Sequence, residues 1–127
     1  MSNGRFGTVI ACIDGRIQQP VAEWLKAHYY LDYVDMITTP GSDRVLVEGP
    51  AELIEHLRAS AQTSISRHGS SVLAVAGHHN CAGNPVPRHE HIEQIHKALQ
   101  VVRFWNVPVT LVGLWVGESG EVEVVGP

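Results

Sequence analysis

The sequence predicts an α/β fold: a short parallel β-sheet covered by helices on both faces. Two observations carry this. Thr8-Val9-Ile10-Ala11-Cys12-Ile13 and Ser71-Val72-Leu73-Ala74-Val75-Ala76 are apolar at nearly every position instead of alternating, and a strand of that kind needs both faces buried. Between and after them run segments with apolar residues at helical spacing, and strands alternating with helices argue for a parallel sheet. Polar clusters follow both runs directly, Cys12–Arg16 after the first and Gly77–Cys81 after the second. Parallel sheets bind ligands beyond the carboxyl ends of their strands, so these clusters are the first places to look for chemistry.

Taken in order, the first strand ends at Asp14-Gly15, a turn pair. Pro20 suits the first turn of a helix that carries Val21, Trp24, Leu25 and His28 at i, i+3, i+4 and i+7. Tyr33–Thr39 reads as a second strand, stopped by Pro40-Gly41-Ser42. The longest helix should start near Pro50, with Leu53, Ile54, Leu57, Ala61 and Ile65 on its apolar stripe and His68-Gly69 as its stop. After the Ser71–Ala76 strand, a loop containing Pro85 and Pro87 leads to a helix bearing Ile92, Ile95, Leu99 and Val102. Val109–Trp115 is a fourth strand, and Glu121–Val125, which alternates weakly, is a candidate antiparallel edge. The expected strand order is 2-1-3-4.

Bulk properties narrow the function. A chain of 127 residues fits one domain spanning 1–127, large enough to bury a core without a disulfide. Nine Lys and Arg residues against 13 Asp and Glu, with no basic block, exclude sequence-independent nucleic-acid binding. The longest apolar stretches, Val72–Ala76 and Val107–Val116, are too short or interrupted to span a bilayer. The opening Met1–Gly7 lacks the apolar core of a secretory leader, so cytoplasm is the expected compartment. There, the two cysteines are expected as thiols or metal ligands.

Those cysteines fall in the two polar clusters. Zinc takes thiolate and imidazole ligands in a tetrahedron, and catalytic sites keep one position for water. His78-x-x-Cys81 is a workable chelating pair, and Cys12 could approach from a neighbouring strand. Asp14 could hydrogen-bond water at the metal, and Arg16 could hold Asp14 away from it through a bidentate pair. The simpler reading of Cys12–Arg16 alone is a buried cysteine followed by an Asp-Gly turn, and His-x-x-Cys alone arises by chance. Together they use every cysteine in the chain. His79 rivals His78 as a ligand and could instead shuttle protons. His89, His91 and His96 read as imidazoles on a solvated helix start. Trp24, Tyr29, Tyr30 and Tyr33 read as packing around the first helix, or as cover for a subunit surface.

Cys12-Ile13-Asp14-Gly15-Arg16 and Gly77-His78-His79-Asn80-Cys81 resemble the Cys-x-Asp-x-Arg and Gly-His-x-x-Cys motifs of the β-class carbonic anhydrases, and the similarity extends over nearly the whole chain. The resemblance implies zinc held by Cys12, His78 and Cys81, with Asp14 and Arg16 as the dyad that gates the fourth position. It implies reversible hydration of carbon dioxide to bicarbonate by zinc-bound hydroxide. Pro40-Gly41-Ser42 stands where the family has an Asn-Ala-Gly-Asn loop, which makes Gly41 a candidate at the substrate pocket. Three departures stand out: Gly15 where the family commonly has Ser or Ala, Ala82-Gly83 in place of Gly-Ala, and only a few residues before the first strand where family members carry helices that embrace a partner. A homodimer is expected. The alternatives are a non-catalytic zinc-binding homologue in which Asp14 closes the coordination shell, and a hydrolase of carbonyl sulfide or carbon disulfide.

Overall fold

A computed structural model describes residues 4–127; Met1-Ser2-Asn3, part of the segment considered above for a leader, lies outside the described residues. Five strands form one sheet: β1 (Phe6–Ala11), β2 (Tyr33–Thr38), β3 (Val72–His78), β4 (Thr110–Val116) and β5 (Val122–Gly126). Their order is β2-β1-β3-β4-β5, with every pairing parallel except the antiparallel β4–β5 edge. The expected order 2-1-3-4 and the antiparallel edge strand are both present.

Helix α1 (Gly15–Tyr29) lies on one face of the sheet, and α2 (Ser42–Glu48), α3 (Ala51–His68) and α4 (Arg88–Arg103) lie on the other. The period of two along β3 sorts its side chains accordingly. Val72, Ala74 and Ala76 face Ile17, Val21 and Leu25 of α1, while Leu73 and Val75 face Leu57, Ala61, Ile95 and Leu99. All seven residues of β3 are buried, which is why its sequence shows no alternation. Leu73 is fully buried between sheet and helices. Leu73→Ala should therefore cost about 2–5 kcal/mol of stability, read as a lower midpoint in urea unfolding with an unchanged slope.

Several boundaries differ from expectation for identifiable reasons. Helix α1 begins at Gly15, capped by the Asp14 carboxylate, so Pro20 sits inside the helix instead of at its first turn. Its buried positions are Ile17, Val21 and Leu25, one row at a spacing of four; His28 is exposed and stacks on Trp24. The expected aromatic group splits: Trp24 and Tyr29 pack against the core, while Tyr30 and Tyr33 are exposed. Helix α2 was not legible, because Val45 and Val47 are β-branched and weaken a helical pattern only seven residues long. Its Ser42, Asp43 and Leu46 are buried.

The chain runs from β1 to β2 on one side, then crosses to place β3 and β4 on the other. The carboxyl ends of β1 and β3 thus flank the point where strand order reverses, the position at which open α/β sheets form crevices. Cys12 follows the last residue of β1, and His78 is the last residue of β3.

Candidate metal centre

Cys12, His78 and Cys81 converge there. One ligand atom from each lies within 4.8 Å of the others, and all three residues are buried. The two sulfurs stand 3.8 Å apart and are not bonded. Two sulfurs that share a tetrahedral zinc at about 2.3 Å each are themselves about 3.8 Å apart, so the spacing fits a common ion.

The imidazole of His78 is oriented for the same task. Its Nδ1 lies 2.8 Å from the carbonyl oxygen of His79, which can only accept, so Nδ1 carries the proton and donates. The other nitrogen, Nε2, then holds a lone pair, and it is buried without a protein hydrogen-bond partner. A buried acceptor left so is costly, and a metal ion would satisfy it. His79, the rival ligand, is exposed and lies outside the triad. Asn80 makes the turn between the two ligands possible by taking a left-handed φ of 54°, which asparagine tolerates better than most residues.

Burial sets the protonation of the cluster. Burial, then the neighbouring Cys12 thiol, pushes the Cys81 thiol up to about 11, and burial lowers His78 below the usual imidazole range. Without metal, His78 is neutral at pH 7 and Cys81 holds its proton. A metal that takes Cys81 as thiolate must displace that proton, so apparent affinity falls with acid.

Asp14 and Arg16 lie at the rim. Arg16 donates through Nη2 to Asp14 Oδ2 at 2.6 Å and through Nε to Oδ1 at 3.0 Å, and its backbone N–H donates to Oδ1 at 2.9 Å. These bonds hold the Asp14 carboxyl far below the usual carboxylate range. Arg16 Nη2 also reaches the carbonyl oxygen of Asn80, within the ligand turn, at 3.2 Å. Gly15 is sterically undemanding: a Cβ there meets no atom within 4 Å, so Ser or Ala would fit. Beside the dyad opens a cleft of about 250 Å³ whose lining includes Arg16, His78, His79, Val116 and Glu118. His79 Nε2 stands 4.0 Å from Glu118 Oε1 at its exposed margin.

Gly41 does not line this cleft. It is buried behind the Cys81 loop with a φ of 61°, and a Cβ on it would come within 2.5 Å of the Gly83 carbonyl oxygen. A Cβ on Gly83 would in turn approach the Gly41 nitrogen at 2.6 Å. The two glycines let the Pro40–Ser42 and Cys81–Asn84 backbones touch, which accounts for the Ala82-Gly83 order.

One polar group was missed in the sequence. His91, expected on a solvated surface, is buried and bonded through Nδ1 to Asp43 Oδ2 at 2.6 Å, while His89 and His96 are exposed. Its place on the same helical row as Ile95, Ala98 and Val102 was the available signal.

A parallel sheet with two thiols and an imidazole gathered at its switch point defines the class: this is the β-carbonic anhydrase fold. Solved structures similar to it include β-carbonic anhydrase isoform I from Trichomonas vaginalis, with 14% identity, TM-score 0.59, and 94% of this chain and 81% of that one covered. A tetrameric β-carbonic anhydrase from Sordaria macrospora matches with 11% identity, TM-score 0.57, and 100% and 83% coverage. The family model described as "Putative carbonic anhydrase" matches residues 2–126, and the chain belongs to that family. A search of curated proteins finds no match.

Proposed function

We propose that this protein is a zinc-dependent carbonic anhydrase that interconverts carbon dioxide and bicarbonate. The observation that carries the reading is the fit of the donor set: two sulfurs at tetrahedral separation beside an unpartnered, correctly tautomerised His78 Nε2. Cys12, His78 and Cys81 would hold the ion. Zinc bound there would supply Lewis-acid activation of water.

The remaining steps belong to the chain's own groups. Asp14, ionised at neutral pH, accepts a hydrogen bond from the reacting water and orients it toward substrate. Arg16 occupies both Asp14 oxygens, which keeps the carboxylate from becoming a fourth ligand and favours an enzyme over a closed structural site. His79, exposed at the margin of the cleft beside Glu118, relays the released proton to buffer. The small, polar-rimmed cleft suits a triatomic substrate and its hydrated anion. We also infer that the protein acts in the cytoplasm and as a homodimer or larger homo-oligomer; the tetrameric assembly of the similar Sordaria macrospora protein supports the second of these.

Stopped-flow hydration of carbon dioxide by zinc-loaded protein, with metal content and light-scattering mass measured on the same sample, tests this reading. About one zinc per chain, hydration well above the buffer rate from about pH 7 to 9, and a mass of at least two chains are expected. Full zinc loading without hydration would overturn the anhydrase reading, and turnover of carbonyl sulfide or carbon disulfide in its place would identify a hydrolase. A monomeric mass would remove the oligomer.

A further inference from the structure

Cys12, Ile13 and Asp14 join β1 to α1 and belong to neither: the strand ends at Ala11 and the helix begins at Gly15. Ile13 is 58% exposed, so its side chain gives this link little anchorage. Nor can the salt bridge at its end hold it in place. The Arg16 side chain is 63% exposed, and an ion pair so open to water fixes its own direction weakly. The aim of the Asp14 carboxylate therefore depends on what holds the backbone beneath it.

Gln18, in the first turn of α1, reaches back across the link. Its Nε2 donates to the carbonyl oxygen of Cys12 at 2.8 Å and to that of Asp14 at 3.2 Å. Carbonyl oxygens only accept, so the amide nitrogen must face them, and both of its N–H bonds are used. The two carbonyls flank Ile13, so one planar amide spans the link from end to end. Gln18 is partly buried, whereas its neighbour Gln19 is exposed and bonds Glu23 Oε1 at 2.8 Å. Beyond the link the bonds continue toward the ligand turn. Arg16 occupies both Asp14 oxygens and also reaches the carbonyl oxygen of Asn80, between His78 and Cys81.

We propose that Gln18 is a positioning residue for the Asp14–Arg16 pair: by clamping the Cys12 and Asp14 carbonyls it fixes the backbone from which Asp14 is aimed. The inference rests on the reading that Asp14 and Arg16 gate the metal position. A carboxylate is no better directed than the backbone that carries it, and a small displacement forfeits much of an oriented group's effect. A glutamine that only stapled the start of α1 would add stability and leave the bond between Asp14 and Arg16 unchanged.

Gln18→Glu separates these roles, because it keeps the side chain's shape and replaces both donors by an acceptor facing carbonyl oxygens. It is compared with Gln18→Ala, the surface control Gln19→Ala, Asp14→Ala and the Asp14→Ala/Gln18→Ala double variant. The Nε–H resonance of Arg16, assigned by its loss in Arg16→Ala, reports the bond to Asp14 in 15N-labelled full-length protein with and without zinc. Gln18→Glu and Gln18→Ala should shift and broaden this resonance. Both should lower hydration by about 10–100-fold, the usual effect of removing a partner behind a functional group. Gln19→Ala should change neither readout. In the Asp14→Ala background, Gln18→Ala should cost less than about twofold further, since the group it aims is gone. An unchanged Arg16 resonance in folded Gln18→Glu and Gln18→Ala would overturn the proposal, as would additive losses in the double variant. Should Gln18→Glu fail to fold, Gln18→Ala decides by the same resonance. That signal needs no turnover, so zinc-loaded wild type without hydration would fell the anhydrase reading while the resonance still decides whether Gln18 positions the pair.

Discussion

His78→Ala is expected to abolish zinc retention, dropping metal content from about one per chain to below about a tenth, with hydration falling to the buffer rate. The side chain offers the one nitrogen of the Cys12–His78–Cys81 triad, and the buried Nε2 lone pair has no hydrogen-bond partner among the described residues. Alanine leaves two sulfurs, which cannot complete a three-ligand shell. Cys81→Ser should fail similarly, because a hydroxyl matches the shape of the thiol but does not ionise to a soft ligand at neutral pH. The pH dependence has a definite sign. Cys81 releases its proton only near 11 in the metal-free fold, so below that pH each unit of acidification should weaken zinc by about tenfold through this thiol alone. Metal analysis after dialysis and zinc titrations across pH check both statements. Retention of stoichiometric zinc by His78→Ala would remove His78 from the ligand set.

Arg16→Ala should behave in the opposite way, keeping its zinc while losing about 10²–10³-fold in hydration rate, the range over which one oriented catalytic group acts. Without the guanidinium, both Asp14 oxygens are released at the rim of the site. Asp14→Ala should lose a comparable factor because nothing orients the water. The double variant is the sharper measurement. If the Arg16→Ala defect comes from Asp14 blocking the metal, removing Asp14 as well should make matters no worse and should restore part of the rate. Purely additive losses would refute that assignment. Stability should hardly change at neutral pH, since Arg16 is largely exposed. Asp14's folded value is depressed, so its stabilising contribution is complete above the ordinary carboxylate range and is lost as pH falls through the folded value. Whatever small difference in melting temperature separates wild type from Arg16→Ala at neutral pH should therefore disappear in strong acid, where Asp14 is protonated in both.

The clustering of Cys12, His78 and Cys81 was legible because Cys12 and His78 sit at strand ends and Cys81 in the turn that follows β3, and strand ends can be read from continuous apolar runs such as Val72–Ala76. The strand order followed from the same runs together with the motif resemblance. What escaped detection was set by tertiary contact. Helix α2 has weak local propensity and exists because Leu46 and Asp43 are buried against the rest of the fold. His91 looked like one of several surface imidazoles in Arg88–His96, and only burial of its helical row tells it from His89 and His96. Gly83, in an order that looked like a departure, is required by a neighbour 42 positions earlier, Gly41, whose backbone it touches. Pro20 was misplaced because its residue type suits a first turn, whereas the Asp14 cap sets the start of α1.

The two cysteine sulfurs lie 69 positions apart in the chain and come together only when β1 and β3 pair at the centre of the sheet. An ion held there ties distant segments much as a covalent crosslink would, but one that forms after the long-range pairing instead of constraining the unfolded chain. The unfolded polypeptide retains only the local His78–Cys81 pair, so tight binding and sheet assembly are one event. Unfolding must separate the central strands, and with metal bound that separation must also break coordination bonds. With zinc held by the proposed triad, the lifetime of the native state should be governed by metal release, a kinetic protection located at the strand pair whose formation has the highest loop-closure cost.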